Sequence, residues 1–382
     1  MRHGISRRDL LRGALATCAV AALPPFLTGC GHLAPVTGTE PSLRQKIAQM
    51  LMVGFRGTSL GDSDTIVRDI ETHGIGGTIL FDRDVILGQY GRNITSPAQL
   101  KELTRQLRSF ASVPLFIAVD QEGGKVARLK ENCGFSPTVS AQYLGTLNDL
   151  TITRMYADSI GATLAENGLN MNFAPVVDLN INPDSPAIGK VERSFSADPA
   201  VVIKQSRVFV ETHDKNRIAT CIKHFPGHGS ATADSHAGLV DVTNTWTEIE
   251  LEPYRTLIAE GNCRMVMTAH IFNSKLDPDY PATLSHSTIT GILRQRLGFN
   301  GVVVTDDMQM GAIIQHYSFE TAVEKAIMAG VDIIMFPNNL SYDPDVTPKV
   351  IDLISRMVES GTIPVKRINE SYDRIMAMKG RI

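Results

Sequence analysis

The sequence is poor in the residues that cross-link small secreted folds or bind metals through sulfur. It has five cysteines and one tryptophan in 382 residues. Beyond the first thirty residues, only Cys133, Cys221 and Cys263 remain, and they share no repeated spacing. This odd set argues against a disulfide framework and against a cysteine zinc site. Cys221 lies in an apolar run and is expected in the core.

A strong charge of either sign is also missing. The formal net charge is −3, and there is no basic stripe, heptad repeat or low-complexity tract. These absences leave no electrostatic argument for nucleic acid as a partner. Hydrophobic residues make up 43% of the chain, which is ordinary for a globular protein with a sizeable core. The length fits two average domains or one large α/β barrel.

The longest apolar run lies at the N-terminus, from Gly13 to Gly29, and is interrupted by Pro24 and Pro25. It is short for a membrane-spanning helix. The preceding SRRDLL (6–11) resembles a twin-arginine export signal. The LTGC at 27–30 resembles a bacterial lipobox. These features predict an exported protein.

Three segments follow from this interpretation. Residues 1–29 are the predicted signal peptide, and residues 30–41 are a tether that begins at a lipidated Cys30. Residues 42–382 form the folded domain. The protein is then expected in the cell envelope, attached to a membrane by its lipid. A plain cleaved signal or an amphipathic anchor is the alternative.

From about residue 45, short apolar runs alternate with segments of helical periodicity, such as 97–110 and 318–330. Eight strands are predicted, at residues 47–55, 76–81, 114–120, 171–180, 219–225, 265–271, 301–307 and 331–337. No composition break divides the chain after Pro41. The pattern predicts an α/β fold with a single (β/α)8 TIM-type barrel, irregular in its first strands.

Polar residues follow the ends of five of these strands. They are Asp120 to Glu122, Asp178 to Asn180, Lys223 and His224, His270, and Asp306 and Asp307. Polar groups next to buried strands are costly unless they are paired or used. In a barrel these ends meet on one face, so the sequence predicts a shared pocket there.

The histidine-rich stretch KHFPGHGSATADSH (223–236) allows several chemistries. A zinc site is disfavoured because the first strand offers no ligand and the histidines lack helical spacing. The glycines fit no phosphate-binding fingerprint and suggest tight turns instead. Asp234 can orient His236, which can then move a proton, while Asp306 faces the pocket as a nucleophilic carboxylate. This combination favours double displacement.

Five motifs carry a family resemblance: VVVTDDMQM, KHFPGHGSATADSH, AVDQEGGKVARL, NFAPVVDLNINP and ERSFSADP. They closely resemble bacterial β-N-acetylhexosaminidases of glycoside hydrolase family 3, over nearly the whole predicted barrel. The resemblance implies a retaining enzyme that removes terminal β-linked N-acetylglucosamine without a metal or other cofactor. The expected substrates are peptidoglycan fragments (muropeptides) or chitin-type oligosaccharides, and the expected state is a monomer.

The resemblance also implies residue roles. Asp306 is the expected nucleophile, and His236, oriented by Asp234, is the expected acid/base. The expected sugar-binding residues are Asp120, Arg128, Arg193, Lys223 and His224.

Alternatives remain open at several positions. Asp307 is interpreted as a support for Asp306 or as a helix N-cap, with exchanged roles as a third option. Arg193 is alternatively a structural partner of a carboxylate, and Trp246 either stacks a sugar or packs at a loop or helix start. His228 and His270 either line the pocket or are hydrogen-bonded inside the protein.

Three other functions remain as alternatives. Phosphorolysis is one, because a neutral histidine base does not repel phosphate as a carboxylate would. A second is another β-glycosidase specificity. The third is a catalytically silent, membrane-tethered muropeptide-binding lipoprotein.

Overall fold

The computed structural model describes residues 40–236 and 238–382. The predicted signal peptide (1–29), the lipidation site Cys30 and the tether up to residue 39 lie outside the described residues. In the described part of the chain, no helix is long and apolar enough to cross a membrane.

Helices and strands alternate through the described residues. The helices are α1 (Leu43–Gln49), α2 (Thr65–Arg68), α3 (Pro97–Ser109), α4 (Ala141–Leu147), α5 (Leu150–Glu166), α6 (Pro199–Lys215), α7 (Glu252–Ala259), α8 (Gly311–Ile314), α9 (Phe319–Ala329), α10 (Val346–Glu359) and α11 (Val365–Lys379). The strands are β1 (Leu51–Gly54), β2 (Gly77–Ile79), β3 (Arg83–Asp84), β4 (Gln89–Tyr90), β5 (Phe116–Val119), β6 (Gln121–Gly123), β7 (Val126–Ala127), β8 (Met171–Asn172), β9 (Ala219–Thr220), β10 (Ile222–Phe225), β11 (Val240–Asp241), β12 (Met265–Thr268), β13 (Ile271–Phe272), β14 (Val302–Thr305) and β15 (Ile334–Phe336). Two π-helices (Asp69–His73 and Ser287–Arg296) and three 3-10 helices (Glu131–Cys133, Glu248–Leu251 and Ala282–Leu284) complete the set.

Local sequence explains the best-predicted helices. In α3, the Ser96 hydroxyl accepts a hydrogen bond from the Gln99 backbone N–H, and Pro97 occupies the first turn, where its missing N–H is not needed. In α9, Ser318 caps the start in the same way, and Gly330 ends the helix in the left-handed conformation. Both predicted helices are confirmed.

The core strands are parallel. A six-stranded sheet has the order β15-β1-β2-β5-β8-β9, and a three-stranded sheet has the order β10-β12-β14. Each of the eight predicted strand segments contains at least one of these strands. The predicted α/β class with parallel strands is confirmed. Because the strands run the same way, their carboxyl ends lie on one side of the fold.

The parallel ladder is interrupted at two places. Cys221 separates β9 from β10, and its N–H donates to the carbonyl oxygens of Asn172 and Ala174, at 3.1 Å each. Between β14 and β15, pairing is limited to an isolated bridge from Val304 to Ile333. A continuous eight-stranded ladder is therefore absent from the described residues.

Two predicted strand bounds were wrong. Residues 47–49 belong to α1, because Ser42 and Gln45 form a reciprocal capping box that starts a helix there. In the fourth segment, only Met171–Asn172 is paired in the sheet. Pro175 has no N–H to donate, and beyond it the chain forms one bridge, at Val176.

Lys379, the last residue of α11, is buried, with 3% of its surface exposed. Its Nζ donates to Gln49 Oε1 at 2.7 Å and lies 4.9 Å from the centre of the Phe116 ring. Burial lowers the pKa of Lys379 to about 7. Between about pH 7 and pH 10, the unfolded chain therefore binds up to one more proton than the folded protein.

This difference predicts a pH-dependent stability. The pKa of Lys379 is lower in the folded protein than in the unfolded chain, so the free energy of unfolding should rise with pH above 7. Between pH 7 and 10 this rise should exceed that of Lys379→Met by about 4 kcal/mol. Urea unfolding of both proteins across this range measures it. Lys366→Met, on the same helix at a side chain that is 87% exposed, is the control and should leave the rise intact. An equal pH dependence in wild type and Lys379→Met would contradict the prediction.

Candidate active site

One cavity of about 390 Å³ lies at the carboxyl ends of the parallel strands. Seven of the eight predicted site residues line it: Asp120, Arg128, Arg193, Lys223, His224, His236 and Asp306. Asp120 follows β5, Lys223 and His224 lie in β10, and Asp306 follows β14. The eighth, Asp234, reaches the cavity through His236. The predicted shared pocket is therefore present.

A buried ion-pair network forms one wall of the cavity. The Lys223 ammonium donates to Asp120 Oδ1 at 2.8 Å and lies 2.7 Å from Glu122 Oε1. Arg193 makes a two-pronged contact with Glu122, at 2.8 and 2.7 Å. Such paired contacts fix the guanidinium plane as well as its charge. Arg193 therefore lines the cavity and is also the structural partner of a carboxylate.

The network keeps Asp120 ionised. Burial favours the neutral carboxyl, but Lys223 and Arg128 hold the pKa of Asp120 far below its ordinary value. Arg128 Nη2 donates to the second carboxylate oxygen at 3.2 Å. An ionised carboxylate only accepts hydrogen bonds, so Asp120 is suited to receive them from ligand hydroxyl groups.

His224 is oriented by Asp178, a carboxylate with no exposed side-chain surface. Its Nδ1 lies 2.7 Å from Asp178 Oδ2, and its Nε2 lies 3.1 Å from the Arg193 guanidinium. Asp178 also accepts from the backbone N–H groups of His224 and His228. This carboxylate therefore fixes the orientation of the His224 ring and the conformation of the backbone from His224 to His228.

Like its neighbour Asp307, Asp306 lines the cavity directly after β14. Burial opposes its ionisation, but three imidazoles, those of His270, His224 and His236, hold its pKa below the ordinary value. Its Oδ1 accepts the backbone N–H of Asp307 at 2.7 Å. An ionised, fixed carboxylate at the end of a strand is what nucleophilic attack requires.

Asp307 has the opposite character. Burial and the neighbouring Asp306 raise its pKa to about 7. Its carboxylate accepts the backbone N–H of Gln309, so it holds the turn after β14. The interpretation of Asp307 as a helix N-cap was wrong, because α8 begins at Gly311 with Met310 as its N-cap.

Asp234 and His236 form the predicted dyad. Asp234 Oδ1 lies 2.8 Å from His236 Nδ1 and accepts the backbone N–H of the same residue at 3.0 Å. This bond raises the pKa of His236, an effect that the Asp306 charge reinforces, and lowers that of Asp234 to about 2. The His236 side chain is 57% exposed. Its Nε2 is left to exchange a proton in the cavity.

The segment that carries the dyad, residues 226–236, is held at both ends. At its start, Gly229 N–H donates to Glu250 Oε2 at 3.0 Å, and Gly227 has a φ of 122° where a Cβ would lie 2.6 Å from that of Glu250. At its end, the carbonyl oxygens of Ser235 and His236 accept from the first backbone N–H groups of α8. The helix that follows Asp306 in the chain thus supports His236.

The remaining alternatives are resolved by their contacts. Trp246 is buried and its Nε1 donates to the Pro226 carbonyl, so it packs under the segment instead of stacking a ligand. His270 is fully buried and bonds Thr283 and the Asp307 carbonyl. His228 is buried too, with its Nε2 3.4 Å from the Ser235 hydroxyl. In the described part of the chain, no three histidine, cysteine or carboxylate side chains are grouped to hold a metal ion.

The sequence profile of the glycosyl hydrolase family 3 N-terminal domain matches residues 42–378, which include every cavity residue described above. The chain belongs to glycosyl hydrolase family 3. The recognised resemblance is confirmed. The profile of the twin-arginine translocation pathway signal sequence matches residues 4–24, so the predicted export signal is confirmed as well.

Family 3 relatives cover most of this chain. Beta-hexosaminidase A of Pseudoalteromonas piscicida is 34% identical over 82% of this chain and 54% of its own length. A beta-hexosaminidase of Nitrosomonas eutropha is 34% identical over 77% of this chain and 81% of its own length. A solved family 3 beta-N-acetylglucosaminidase from Paenibacillus is 37% identical with a TM-score of 0.81, over 90% of this chain and 63% of that one. The chain thus spans about half of the first relative and under two thirds of the solved structure.

The sequence assigns Glu122 and Asp178 only the general role of orienting loops and ligands, and the fold supplies their partners. Glu122 pairs with Arg193, 71 positions away, and Asp178 pairs with His224, 46 positions away. Glu250 was not singled out at all. Its partner Gly229 is identified only by the fold.

Removing the shared ammonium group should destabilise the protein strongly. Lys223→Met leaves Asp120 and Glu122 buried without their common cation, which should cost about 3–5 kcal/mol at neutral pH. The low pKa of Asp120 stabilises the folded state above its unfolded pKa, so the difference from wild type should shrink as the pH falls below about 4. Chemical denaturation at several pH values measures this.

The matched control is Lys349→Met, whose ammonium pairs with Asp343 at a surface position. Exposed pairs contribute about 1 kcal/mol or less. Equal losses in the two variants would show that the buried network does not have the assigned role.

Proposed function

We propose that this family 3 protein is a retaining exo-glycosidase that hydrolyses terminal, non-reducing β-linked N-acetylglucosamine. The observation that carries the proposal is the shared cavity, in which an ionised carboxylate, Asp306, is combined with the His236–Asp234 dyad. The names of the relatives, beta-hexosaminidase and beta-N-acetylglucosaminidase, support the sugar specificity.

The first step forms a glycosyl-enzyme. A carboxylate oxygen of Asp306 attacks the anomeric carbon and forms an ester bond as the glycosidic C–O bond breaks. Protonated His236 gives its proton to the departing oxygen. Asp234 accepts the other ring N–H and stabilises the charged imidazole beforehand.

The second step releases the sugar. Neutral His236 takes a proton from water, the water oxygen attacks the anomeric carbon, and the ester bond to Asp306 breaks. Asp120 and Lys223 hold sugar hydroxyls as acceptor and donor, and His224, Arg128 and Arg193 complete the binding wall. Esterified Asp306 is uncharged, so the support that its charge gives to the pKa of His236 is lost, which favours the neutral base when it is needed.

Covalent trapping tests this assignment. A 5-fluoro N-acetylglucosaminyl fluoride should inactivate the wild-type protein, and peptide mapping should find the label on Asp306. Turnover of p-nitrophenyl N-acetyl-β-glucosaminide should stop in step with labelling. A label on another residue would overturn the mechanism. Sugar binding without turnover of any aryl glycoside would favour the muropeptide-binding lipoprotein instead.

Phosphorolysis is the second candidate, favoured by one feature. The acid/base is a histidine, which is uncharged when it acts as base and does not repel phosphate. Adding phosphate to the assay should give free N-acetylglucosamine only, if water is the acceptor. Formation of the 1-phosphate sugar would establish the phosphorylase.

Residues 42–382 are proposed to be one catalytic domain with a (β/α)8-type arrangement. Two isolated bridges support this, one from Val304 to Ile333 and one from Val176 to Lys223. Each bridge connects a strand of the three-stranded sheet to a residue next to a strand of the six-stranded sheet. The family match, which spans residues 42–378, supports a single domain.

The exported protein is proposed to be anchored to the cell envelope through a lipid on Cys30. The support is the LTGC sequence at 27–30, directly after the apolar run. Labelled palmitate should be incorporated in the wild type and not in Cys30→Ala. Retention of label in that variant would refute lipidation at this residue.

A further inference from the structure

A second cavity, of about 350 Å³, lies at the opposite end of the strands from the catalytic cavity. Gly330 lines it and stands shortly before β15. Arg294 lines it as well and donates to the Gly301 carbonyl, directly before β14, at 3.1 Å. The second cavity is therefore at the amino ends of these strands. Among the described residues, none lines both cavities.

Three arginines of this second cavity converge on one carboxylate. Asp332 has no exposed side-chain surface, and it pairs with Arg294 at 2.7 Å, with Arg367 at 3.0 Å and with Arg374 at 3.2 Å. The Ser371 hydroxyl donates to the same carboxylate at 2.8 Å. A single negative charge therefore faces three positive charges, and its oxygens are already occupied by these donors.

Two of the guanidinium groups keep N–H donors without a partner. Arg294 Nε is buried and has no hydrogen-bond partner among the described residues. Within the same part of the chain, Arg374 donates through Nη1 alone, to Asp332, which leaves its Nε and Nη2 free. Burial lowers the pKa of Arg294, and the charges of Arg374 and Arg367 act in the same direction. Buried donors and clustered like charges are costly unless a ligand or another group compensates them.

The start of α11 adds positive potential to this cavity. A helix of 15 residues carries a partial positive charge at its N-terminus, where acidic side chains are normally favoured. The first turn of α11 instead contains Lys366 and Arg367 and no acidic residue, and no side chain of the described residues caps it. Pro364 and Lys366 line the cavity, so the positive end of the helix opens on it.

The carboxylate of Glu370 also belongs to the lining. It lies 3.3 Å from Arg367 and 3.9 Å from Lys366, and its side chain is 40% exposed. The three arginines and Lys366 make four cations, and Asp332 and Glu370 make two anions. The difference is an excess of two positive charges around one cavity. An anionic ligand would offset this excess.

We propose that the second cavity binds a phosphate group, either of inorganic phosphate or of a phospholipid headgroup. Arg374 presents two free N–H donors in the fork that suits phosphate oxygens. Lys366 adds a charge at the rim, and the first turn of α11 adds backbone N–H groups, a common arrangement in phosphate sites. The site goes beyond the proposed glycosidase function and does not depend on it, because it lies at the other end of the fold.

Isothermal titration calorimetry with two soluble probes tests the site and identifies the source of the phosphate. The probes are inorganic phosphate and glycerophosphoglycerol, the water-soluble headgroup of phosphatidylglycerol, titrated at constant ionic strength. The wild type should bind at least one of them saturably at a single site. Tighter binding of the inorganic ion would assign the site to free phosphate, and tighter binding of the diester would assign it to a headgroup. Saturable binding of neither probe would overturn the proposal.

Four variants assign the residues. Arg374→Gln should weaken binding about 10-fold or more, because it removes one charge and leaves Asp332 with its other two arginines. Lys366→Gln, at a side chain that is 87% exposed, should weaken binding about threefold. Glu370→Gln should tighten binding about threefold, since it removes a repelling charge from the lining. The control Arg356→Gln, at an exposed arginine of α10 outside the cavity, should have no effect.

The catalytic cavity also contains cations, and Arg128→Gln separates the two sites. Binding that is retained in Arg128→Gln and weakened in Arg374→Gln would place the phosphate in the second cavity. The reverse result would overturn the proposal. So would unchanged affinity in both Lys366→Gln and Glu370→Gln, whose opposite expected effects decide the question alone if Arg374→Gln does not fold.

Turnover of p-nitrophenyl N-acetyl-β-glucosaminide gives an independent readout. It should be the same in Arg374→Gln and Lys366→Gln as in the wild type, because neither residue lines the catalytic cavity. Absence of turnover in the wild type and all variants, with phosphate binding intact, would count against the glycosidase function and leave the phosphate site established.

Discussion

Replacement of Asp306 by asparagine should lower kcat for aryl N-acetyl-β-glucosaminides about 10⁴-fold or more, because no covalent intermediate can form. Asparagine keeps the shape of the side chain and an oxygen that accepts the Asp307 N–H, so the turn after β14 is retained. The loss should therefore appear in kcat and not in folding. Steady-state kinetics and thermal unfolding of the same preparation measure both.

The adjacent carboxyl provides the matched control. Asp307→Asn should leave fluoro-sugar labelling intact and reduce kcat by about 10-fold or less, since its carboxyl holds Gln309 and is raised in pKa to about 7. A nucleophile that is half protonated at neutral pH would be poorly suited to attack. Loss of labelling in Asp307→Asn with labelling retained in Asp306→Asn would reverse the assignment.

A second readout comes from the titration of His236. The Asp306 charge is one cause of its raised pKa, so neutral asparagine at 306 should lower the pKa of His236. NMR of the imidazole follows this directly. An unchanged titration would mean that the two groups do not act on each other, and the two-step use of one histidine would lose its electrostatic basis.

The positions of the cavity residues at strand ends could be predicted from the sequence, because their signal is local. A polar residue directly after an apolar run, as at Asp120 and Asp306, marks the mouth of an α/β fold without knowledge of any long-range contact. The same holds for Asp234 and His236, whose hydrogen bond joins residues two positions apart. The family resemblance then implied the roles proposed for them.

The pairings of the supporting residues could not be predicted in this way, because the partners are distant in sequence. Glu122 is predicted at the pocket as a strand-end residue, but only the fold pairs it with Arg193 and Lys223. The fold likewise pairs Glu250 with Gly229. The start of α1 is a different case, because its signal, the Ser42–Gln45 capping box, is local. The apolar run that begins at Ile47 favoured a strand over the same residues, and the capping box shows that the helix extends into that run. The hairpin formed by β3 and β4 has strands of two residues, which are too short for an alternation of apolar and polar positions to be recognised.

His236→Ala should reveal its role through the leaving group. For N-acetylglucosamine disaccharides, whose leaving oxygen must be protonated, kcat/KM should fall about 10²–10⁴-fold. For a 2,4-dinitrophenyl glycoside, which departs without a proton, kcat/KM should change by less than about 10-fold. His316→Ala, at an exposed histidine outside the cavity, is the control and should affect neither substrate.

The partner Asp234 sets the pH range over which that proton is available. His236 must be protonated in the first step, so kcat/KM falls as the pH rises through its raised pKa. Asp234→Asn removes the largest cause of that increase and should move this fall to lower pH. Because Asp234 has a pKa of about 2, it is ionised across the working range, and the shift reports His236 alone. A pH profile identical to that of the wild type would contradict the dyad, whereas a lower rate with the fall displaced to lower pH would establish that Asp234 acts by holding the proton on His236.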